Sequence, residues 1–368
     1  MLSDKNGKFY TNHLYGLRAI CALTVALYHY KTVSTSPITN NLFIENGYRF
    51  VDIFFSLSGS ILYLKYSEIK KEFRNIYIFL KKRFFRLFPL HLLLLFLFFL
   101  IEIAKFLVEK KFNLYGNSHA FEILDIENFF LKLLMLEGFW GDVNATLALN
   151  PVSWSISVEF FCYILLISIL VLSNRSFGIF IFILLVLSSL SILAYNRSFF
   201  EIGNLMCLMR TIYSFFLPII IFILLKKIDF KTNNFFIYII FSLLIYLITL
   251  NTISSYILCP ILVGLFINLT LIKKKNNYLI SVLSSNFLIF LGKISYGIYM
   301  FHVLVWWSIS QFFRFILEYQ TKFVPSKEIT ILDLSVLESN LVLILGITIT
   351  IIISNLIYHF FENRFYKK

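Results

Sequence analysis

Long apolar runs separated by short polar segments make up most of this chain. Ten of the runs have the length of about 20 residues that a helix needs to cross a hydrocarbon core about 30 Å thick. Helices also satisfy their own backbone polar groups where no water is available. The pattern therefore predicts ten spans, with edges placed to within several residues, at 14–30, 50–66, 87–107, 152–173, 177–195, 205–225, 234–250, 255–272, 287–310 and 340–361.

The composition excludes a soluble globular protein. Hydrophobic residues make up 59% of the chain and 44 residues are Phe, so water would face far too much apolar surface. We predict an all-α polytopic membrane protein, formed by a single transmembrane domain over 1–368 with no appended soluble domain. The segments between spans, at 67–86, 108–151 and 311–339, are too short for an independent enzyme domain. Any chemistry must be built between the helices or by these loops.

The distribution of basic residues predicts the orientation. If the N-terminus is inside, 20 of the 33 Lys and Arg residues fall on the inner side and ten on the outer side. Basic residues stay on the cytoplasmic side, so both termini are predicted to be cytoplasmic, in a multi-pass protein of the cell membrane. The net charge of +13 is then explained by the predicted topology, and it also favours contact with anionic lipid of the bilayer. No nucleic-acid partner is expected. The four Cys residues lack metal spacing, so buried thiols and no metal are predicted.

The first span carries two ionisable residues, Arg18 and His29. Eleven helical steps separate them by about 16 Å along the axis and leave them within roughly 20° of the same face. Such groups are costly in lipid and should face the protein interior or a wet cavity. His29 is a candidate general base for a hydroxyl. A buried histidine bonded to a neighbouring helix explains the residue equally well.

The second span begins with Asp52 near its outer end, at a depth similar to that of His29. A carboxylate there could hold the tautomer of the imidazole and stabilise its charged form. Capping or an interfacial position are alternatives. Gly59, further along this span, is predicted to be a helix-packing contact rather than a phosphate cradle.

At the inner edge of the third span, Arg83 and Arg86 are three residues apart on one helix face. Arginine presents a rigid fork of donors that matches phosphate oxygens. The pair could therefore clamp a nucleotide or pyrophosphate, although anchoring at the membrane edge explains it too. Pro89 is expected in the first turn of this helix, where proline costs little.

The fourth span opens with Trp154, Ser155 and Glu159. Ser155 and Glu159 are four residues apart and so share a face near the outer leaflet. A buried carboxylate needs a partner, and Arg210 enters the sixth span from the same side. We predict an ion pair between Glu159 and Arg210, with a direct catalytic role for Glu159 as the alternative.

The ninth span carries Ser295, Tyr299 and His302 at offsets of four and three. They form one polar stripe on an otherwise apolar helix. The stripe indicates either the wall of a hydrated substrate channel or a set of hydrogen bonds between helices.

Taken in order, these motifs resemble one family. Arg18 with His29, FFSLSG, RFFRLFP, WSISVE, LGKISYGIYMFH and the terminal YHFFENRF are together similar to the acyltransferase 3 family of membrane-bound O-acyltransferases, which includes the O-antigen acetylases. The resemblance runs from about residue 12 to 366. Its most specific parts are the arginine and histidine separated by ten residues and the RxxR pattern.

The resemblance implies transfer of an acyl group, commonly acetyl from acetyl-CoA, to a hydroxyl of a cell-surface or lipid-linked glycan at a bacterial inner or plasma membrane. Arg18 and His29 match the essential pair of the family, Arg83 and Arg86 its proposed CoA-contacting pair, and Glu159 an acidic residue of its WSLxxE pattern. Ser60 stands where the family often has an aromatic residue. The segment VEFFCY lacks the usual second acidic or polar position after Glu159. These two departures from the family pattern affect which acceptor the resemblance implies.

Taken together, these residues predict an active site with named roles. His29, Asp52 and Glu159 are assigned to catalysis, and Arg18, Arg83 and Arg86 to binding of the acyl-CoA donor. The predicted substrate channel is formed by Trp154, Ser155, Arg210, Ser295, Tyr299 and His302. Two other classes remain as alternatives. A transporter or flippase of a lipid-linked sugar or acyl intermediate should show paired broken helices or an inverted repeat, and a glycan polymerase should show a large Arg-rich outer loop. None of these features is evident in the sequence.

Overall fold

The computed structural model describes residues 11–114, 118–196, 204–228, 233–272, 277–325, 329–362 and 364. Both termini lie outside the described residues, so their cytoplasmic location stays a prediction. Ten of the basic residues behind that prediction also lie outside the described ranges: Lys5, Lys8, Arg197, Lys231, Lys273, Lys274, Lys275, Lys327, Lys367 and Lys368.

The described part of the chain is almost entirely helical, as predicted. Its helices are α1 (Asn12–His29), α2 (Leu42–Glu45), α3 (Phe50–Tyr66), α4 (Phe73–Phe112), α5 (Ile126–Leu133), α6 (Val143–Leu147), α7 (Trp154–Leu172), α8 (Arg175–Asn196), α9 (Asn204–Ile228), α10 (Asn234–Thr249), α11 (Ile253–Ile272), α12 (Tyr278–Leu283), α13 (Asn286–Lys293), α14 (Ser295–Phe315) and α15 (Val336–Ile357). Two short strands, β1 (Thr321–Val324) and β2 (Ile329–Leu332), pair antiparallel between α14 and α15.

Nine of the ten predicted spans each fall on one helix, and the tenth, 287–310, falls on the pair α13 and α14. Within the described residues, α4, α7, α8, α9, α11 and α15 are long and apolar enough to cross a membrane, and the bent pair α13 and α14 would be a seventh. The number of crossings therefore stands at six or seven, and ten remains a prediction. The multi-pass, all-α architecture itself agrees with the sequence.

Two predicted boundaries are wrong. The third span was expected to begin near residue 87, but α4 is continuous from Phe73, so Pro89 lies inside the helix and not in its first turn. Proline removes one backbone hydrogen bond there, which membrane helices tolerate. The predicted single span 287–310 is two helices that meet at Ile294 with a bend of 67°.

The bundle surrounds α1 and α9. Helix α1 packs against α3, α12, α13 and α14, and α9 packs against α3, α7, α8 and α11. By contrast, α8 and α15 bury only about a quarter of their apolar window and face the membrane. Because Arg83 and His29 lie toward opposite ends of this bundle, we name the two ends the Arg83 end and the His29 end. The predicted thiols Cys21, Cys162, Cys207 and Cys259 are buried and are not joined in disulfides.

Gly59 is a point of close helix approach, which confirms its packing role. A Cβ atom there would lie 2.0 Å from the Phe215 carbonyl oxygen of α9. We expect Gly59→Ala to lower the free energy of unfolding by about 1–3 kcal/mol, because α3 and α9 must separate. Thermal unfolding of the detergent-purified protein measures this. Gly297→Ala is the control, since its Cβ would meet a neighbouring side chain at 3.0 Å. Equal losses in both variants would contradict the explanation.

Candidate active site

His29 and His302 form a pair at the His29 end. His29 is the last residue of α1, and its Nδ1 lies 2.9 Å from the Val25 carbonyl oxygen and 3.1 Å from Nε2 of His302 on α14. A carbonyl oxygen can only accept a hydrogen bond, so the first contact assigns the hydrogen to Nδ1 and leaves the lone pair on Nε2. His302 is fully buried, whereas His29 is half-buried. Nε2 of His29 is therefore the basic nitrogen of the pair.

Asp52 pairs with Arg210, which corrects the prediction that it orients His29. Arg210 Nε donates to Asp52 Oδ1 at 2.8 Å and a terminal nitrogen donates to Oδ2 at 2.9 Å. The Ser214 hydroxyl donates to the same carboxylate at 3.4 Å. Both charged side chains are nearly buried, at 12% and 6% exposure. The two-pronged contact between α3 and α9 therefore neutralises both charges inside the bundle.

The predicted ion pair between Glu159 and Arg210 is also wrong. Arg210 is occupied by Asp52, and Glu159 Oε1 instead accepts a hydrogen bond of 2.5 Å from the Tyr163 hydroxyl on the same helix. Glu159 is half-buried and lines a cavity inside the bundle. Its carboxylate therefore remains available to that cavity.

A strongly basic cavity opens at the Arg83 end. It has a volume of about 430 Å³, and none of the described residues that line it carries a carboxylate. Arg83 Nε is buried without a hydrogen-bond partner in the described part of the chain. Such a site attracts a polyanion, because each cation gains a charge-assisted hydrogen bond when an anion enters. The basic residues of this basic cavity are Arg18, Lys65, Lys81, Lys82, Arg83, Arg86 and Lys293.

A narrower cavity continues from the basic cavity into the bundle. This inner cavity has a volume of about 40 Å³, and Arg18, Arg86 and Tyr296 line both cavities. Its walls also contain Ser155, Glu159, Ser295 and Tyr299, which are four residues that the sequence proposed for the site. The two cavities form one path from the Arg83 end toward the bundle centre.

Tyr299 links this path to the histidines. Its hydroxyl lies 2.8 Å from Ser155 Oγ and donates to the Val152 carbonyl oxygen at 3.1 Å. The Tyr299 ring centroid is 5.9 Å from that of His302, which in turn is 4.9 Å from that of His29. Polar groups therefore continue from the inner cavity through His302 to Nδ1 of His29.

The family is decided by comparison with known proteins. The family model described as an acyltransferase domain, that of acyltransferase 3, matches residues 13–359. The chain belongs to the acyltransferase 3 family. The resemblance carried by the sequence motifs is thereby confirmed. Searches of curated proteins and of solved structures found no match to this acyltransferase.

The other predicted site residues of the acyltransferase separate into groups. Arg18 and Arg86 face both cavities, and Arg83 faces the basic cavity alone. Trp154 is 6% exposed and packs beside the Asp52–Arg210 pair, with its ring 5.9 Å from the Arg210 guanidinium. It supports that pair rather than lining either cavity, so its predicted place in the channel is corrected. Ser295 faces the inner cavity and also donates to the Gly292 carbonyl oxygen at 2.9 Å.

Sequence reasoning missed a buried ion pair in the segment between α4 and α7 of the acyltransferase. Lys132 and Glu137 lie 3.8 Å apart and are both fully buried. Lys132 donates to the carbonyl oxygens of Thr146 and Asn150 and to Ser153 Oγ, which itself donates to Glu137 at 2.9 Å. Burial lowers the pKa of Lys132 to about 8, although Glu137 acts in the opposite direction. The network fixes Ser153 immediately before the start of α7, and thus the position of Ser155.

A small recess lies beside His29 at the His29 end of the acyltransferase, and we name it the outer recess after the predicted orientation. Its lining includes Tyr28, Lys31, Ser36, Asn40 and Glu45, and its volume is about 40 Å³. The Lys31 amine lies 3.6 Å from the centroid of the Tyr28 ring. Burial lowers the pKa of Lys31 to about 8, opposed by Glu45. This outer recess combines hydroxyl, amide and aromatic groups in one place.

Proposed function

We propose that this acyltransferase moves an acyl group, most commonly acetyl, from acyl-CoA to a hydroxyl of a cell-surface or lipid-linked glycan. The proposal is supported by two adjoining cavities, the basic cavity and the inner cavity, which together extend from the Arg83 end to Tyr299, whose ring lies beside that of His302. With the Arg83 end in the cytoplasm, as the positive-inside rule indicates, the donor enters where CoA is available. The membrane would be a bacterial plasma membrane.

The residues of the basic cavity fit the donor. Coenzyme A carries several phosphate charges, and the seven basic side chains supply matching cations, with no carboxylate among the described lining residues to compete. Arg83 Nε, which lacks a partner in the described residues, would gain one. Arg18 lies where both cavities meet and would position the arm of the donor. The narrowness of the inner cavity, about 40 Å³, favours a short acyl group such as acetyl over a long chain.

The acceptor would approach from the His29 end. The outer recess offers hydroxyl and amide groups for the hydroxyls of a sugar, and the Tyr28 ring offers a flat apolar face. A sugar bound there would lie next to His29, which follows Tyr28 in the chain. This arrangement supports a glycan acceptor over a fully apolar alcohol, because the recess provides several hydrogen-bonding partners.

The proposed mechanism uses His29 as a general base and then as a general acid. Nε2 of His29 takes the proton of the acceptor hydroxyl as its oxygen forms a bond to the acyl carbon. Acyl-CoA supplies a thioester, whose C–S bond breaks as the new ester forms. The hydrogen on Nδ1 of His29 remains hydrogen-bonded to the Val25 carbonyl oxygen and to Nε2 of His302, and these two acceptors stabilise the imidazolium. The hydroxyls of Tyr299 and Ser155 both donate to the Val152 carbonyl oxygen, and one that turned away from it would stabilise the developing oxyanion. Nε2 returns its proton to the departing sulfur.

Glycan mass tests the function. Surface glycan from cells producing the acyltransferase should carry a mass increment of one acyl group per modified sugar, and cells lacking the protein should lose that increment while keeping the glycan. Disappearance of the whole glycan from the surface would instead favour a transporter of a lipid-linked intermediate. An unchanged mass profile in both strains would contradict the proposal.

Removing either arginine of the pair should weaken donor binding. We expect Arg83→Ala and Arg86→Ala each to raise the dissociation constant of CoA by about tenfold or more, since a charge-assisted hydrogen bond contributes about 1.5–3 kcal/mol. Isothermal titration of the purified protein with CoA measures this, and the loss should shrink at high salt. Lys110→Ala is the matched control, because Lys110 lies far along α4 next to Phe106. Equal CoA affinity in all three variants would contradict donor binding by Arg83 and Arg86 and would support the alternative role, anchoring at the membrane edge.

A further inference from the structure

A second cavity at the Arg83 end lies outside the proposed reaction path. It has a volume of about 570 Å³ and lies between the ends of α3, α7, α8 and α9. None of its lining residues lines the basic cavity or the inner cavity. We name it the Tyr63 cavity. The donor and acceptor assigned above leave it without a role.

The interior of the Tyr63 cavity is apolar with one hydroxyl. Tyr63 packs edge-on against Phe182 and Phe222, with ring centroids 6.1 Å apart in each case. Tyr63 is only 8% exposed. Its hydroxyl can donate a hydrogen bond to an occupant of the cavity. The interior therefore suits an apolar chain that carries a hydrogen-bond acceptor near one end.

The rim of the Tyr63 cavity is cationic. Arg175 begins α8, and Lys226 and Lys227 lie in the last turn of α9. None of these three side chains has a carboxylate partner among the described residues, and Glu68 is the one acidic residue in the lining. Lys71 also lines the rim and donates to the Ser173 carbonyl oxygen, closing one side. The rim can therefore neutralise an anion.

The surroundings of this rim face the membrane. On α8, Phe177 and Phe180 are 55% and 58% exposed. Leu172 at the end of α7 and Leu224 near the end of α9 are 79% and 51% exposed. Exposed apolar side chains at this depth contact lipid tails, so an occupant can reach the cavity from within the bilayer. A soluble anion would meet the cations but would leave the aromatic interior empty.

We propose that the Tyr63 cavity binds an anionic phospholipid. The phosphate lies against Arg175, Lys226 and Lys227, where each cation contributes to attraction for an anionic headgroup. One acyl chain enters between Phe182 and Phe222, and the Tyr63 hydroxyl donates to an ester carbonyl of the lipid. This site is separate from the proposed function and does not depend on it.

Native mass spectrometry of the detergent-purified full chain tests the binding. The probes are phosphatidylglycerol and phosphatidylcholine with identical chains. We expect phosphatidylglycerol to be retained selectively, and Arg175→Ala with Lys226→Ala to weaken its retention about tenfold or more. The matched control is Lys110→Ala with Lys111→Ala, which removes equal charge at the other end of α4. Equal retention in the two double variants, or equal retention of the two lipids, would overturn the proposal.

Two further experiments distinguish binding of a lipid from binding of a free phosphate, and distinguish a lost contact from a misfolded variant. Tyr63→Phe keeps the packing and removes only the hydroxyl, so it should fold normally and weaken phosphatidylglycerol retention about two- to tenfold. Inorganic phosphate and glycerol phosphate at millimolar concentration should fail to displace the lipid. Displacement by either would identify a site for a soluble anion, and unchanged retention in Tyr63→Phe would remove the hydroxyl from the site. Either result contradicts the proposal.

Discussion

His29→Ala is expected to abolish measurable acylation of the glycan acceptor. A positioned general base contributes about 10²–10⁴-fold to a rate, and Nε2 of His29 is the basic nitrogen at the end of the proposed path. Mass analysis of surface glycan should show the acyl increment falling below detection in cells that contain normal amounts of the variant. CoA affinity should be unchanged, because the basic cavity lies at the opposite end of the bundle.

His302 supplies the comparison for that experiment. It contacts Nδ1 of His29 but is fully buried. It can therefore orient the His29 imidazole but cannot contact a substrate. His302→Gln should lower the acylation rate by about tenfold, the size of one lost hydrogen bond, and leave some product. Normal acylation by His29→Ala would refute the assigned base. A greater loss in His302→Gln than in His29→Ala would reverse the two roles.

Asp52→Ala should destabilise the protein strongly. It leaves the Arg210 guanidinium buried without its carboxylate, which costs about 3–5 kcal/mol for a buried pair. The side chains are only 12% and 6% exposed, so water cannot replace the lost partner. Unfolding of the detergent-purified variant by heat or denaturant measures the loss. Arg210→Met should destabilise less, because the Asp52 carboxylate that it leaves still accepts the hydrogen bond from the Ser214 hydroxyl.

The double variant separates a structural role of Asp52 from a catalytic one. Asp52→Ala with Arg210→Met removes both charges, so we expect it to recover part of the stability and a substantial part of the acylation activity. If Asp52 acted directly on the reacting groups, the double variant would fold and still be as inactive as His29→Ala. That outcome would restore the catalytic role that the sequence assigned to Asp52.

The sequence predicts the helices well because the bilayer imposes a simple rule on length and hydropathy. It also places His29 and Arg83 toward opposite ends, since helix rise depends only on the number of residues. The start of α4 was missed because a charged stretch resembles a loop, although a helix can continue beyond the membrane with charged side chains in water. The Lys132–Glu137 pair was missed because charge in an outer segment suggests exposure.

Partners across the bundle could not be predicted from depth alone. Asp52 was matched to His29 because the two lie at similar depth, but each helix can rotate about its axis, and α3 turns Asp52 toward α9. Asp52 and Arg210 are 158 residues apart, and His29 and His302 are 273 residues apart. The stripe of Ser295, Tyr299 and His302 did indicate a polar helix face. Only packing reveals that this face meets the end of α1.

The unbroken course of α4 restricts how the length of this chain can change. At about 1.5 Å per residue its 40 residues extend about 60 Å, roughly twice the hydrocarbon thickness. Adding or deleting one residue between Arg86 and His91 would rotate everything on one side by about 100°. The arginines would then leave the basic cavity, or His91 would lose its contact with the Lys132 carbonyl oxygen. Insertions and deletions should therefore be tolerated after Asn113, where the helix has ended, and not within this stretch.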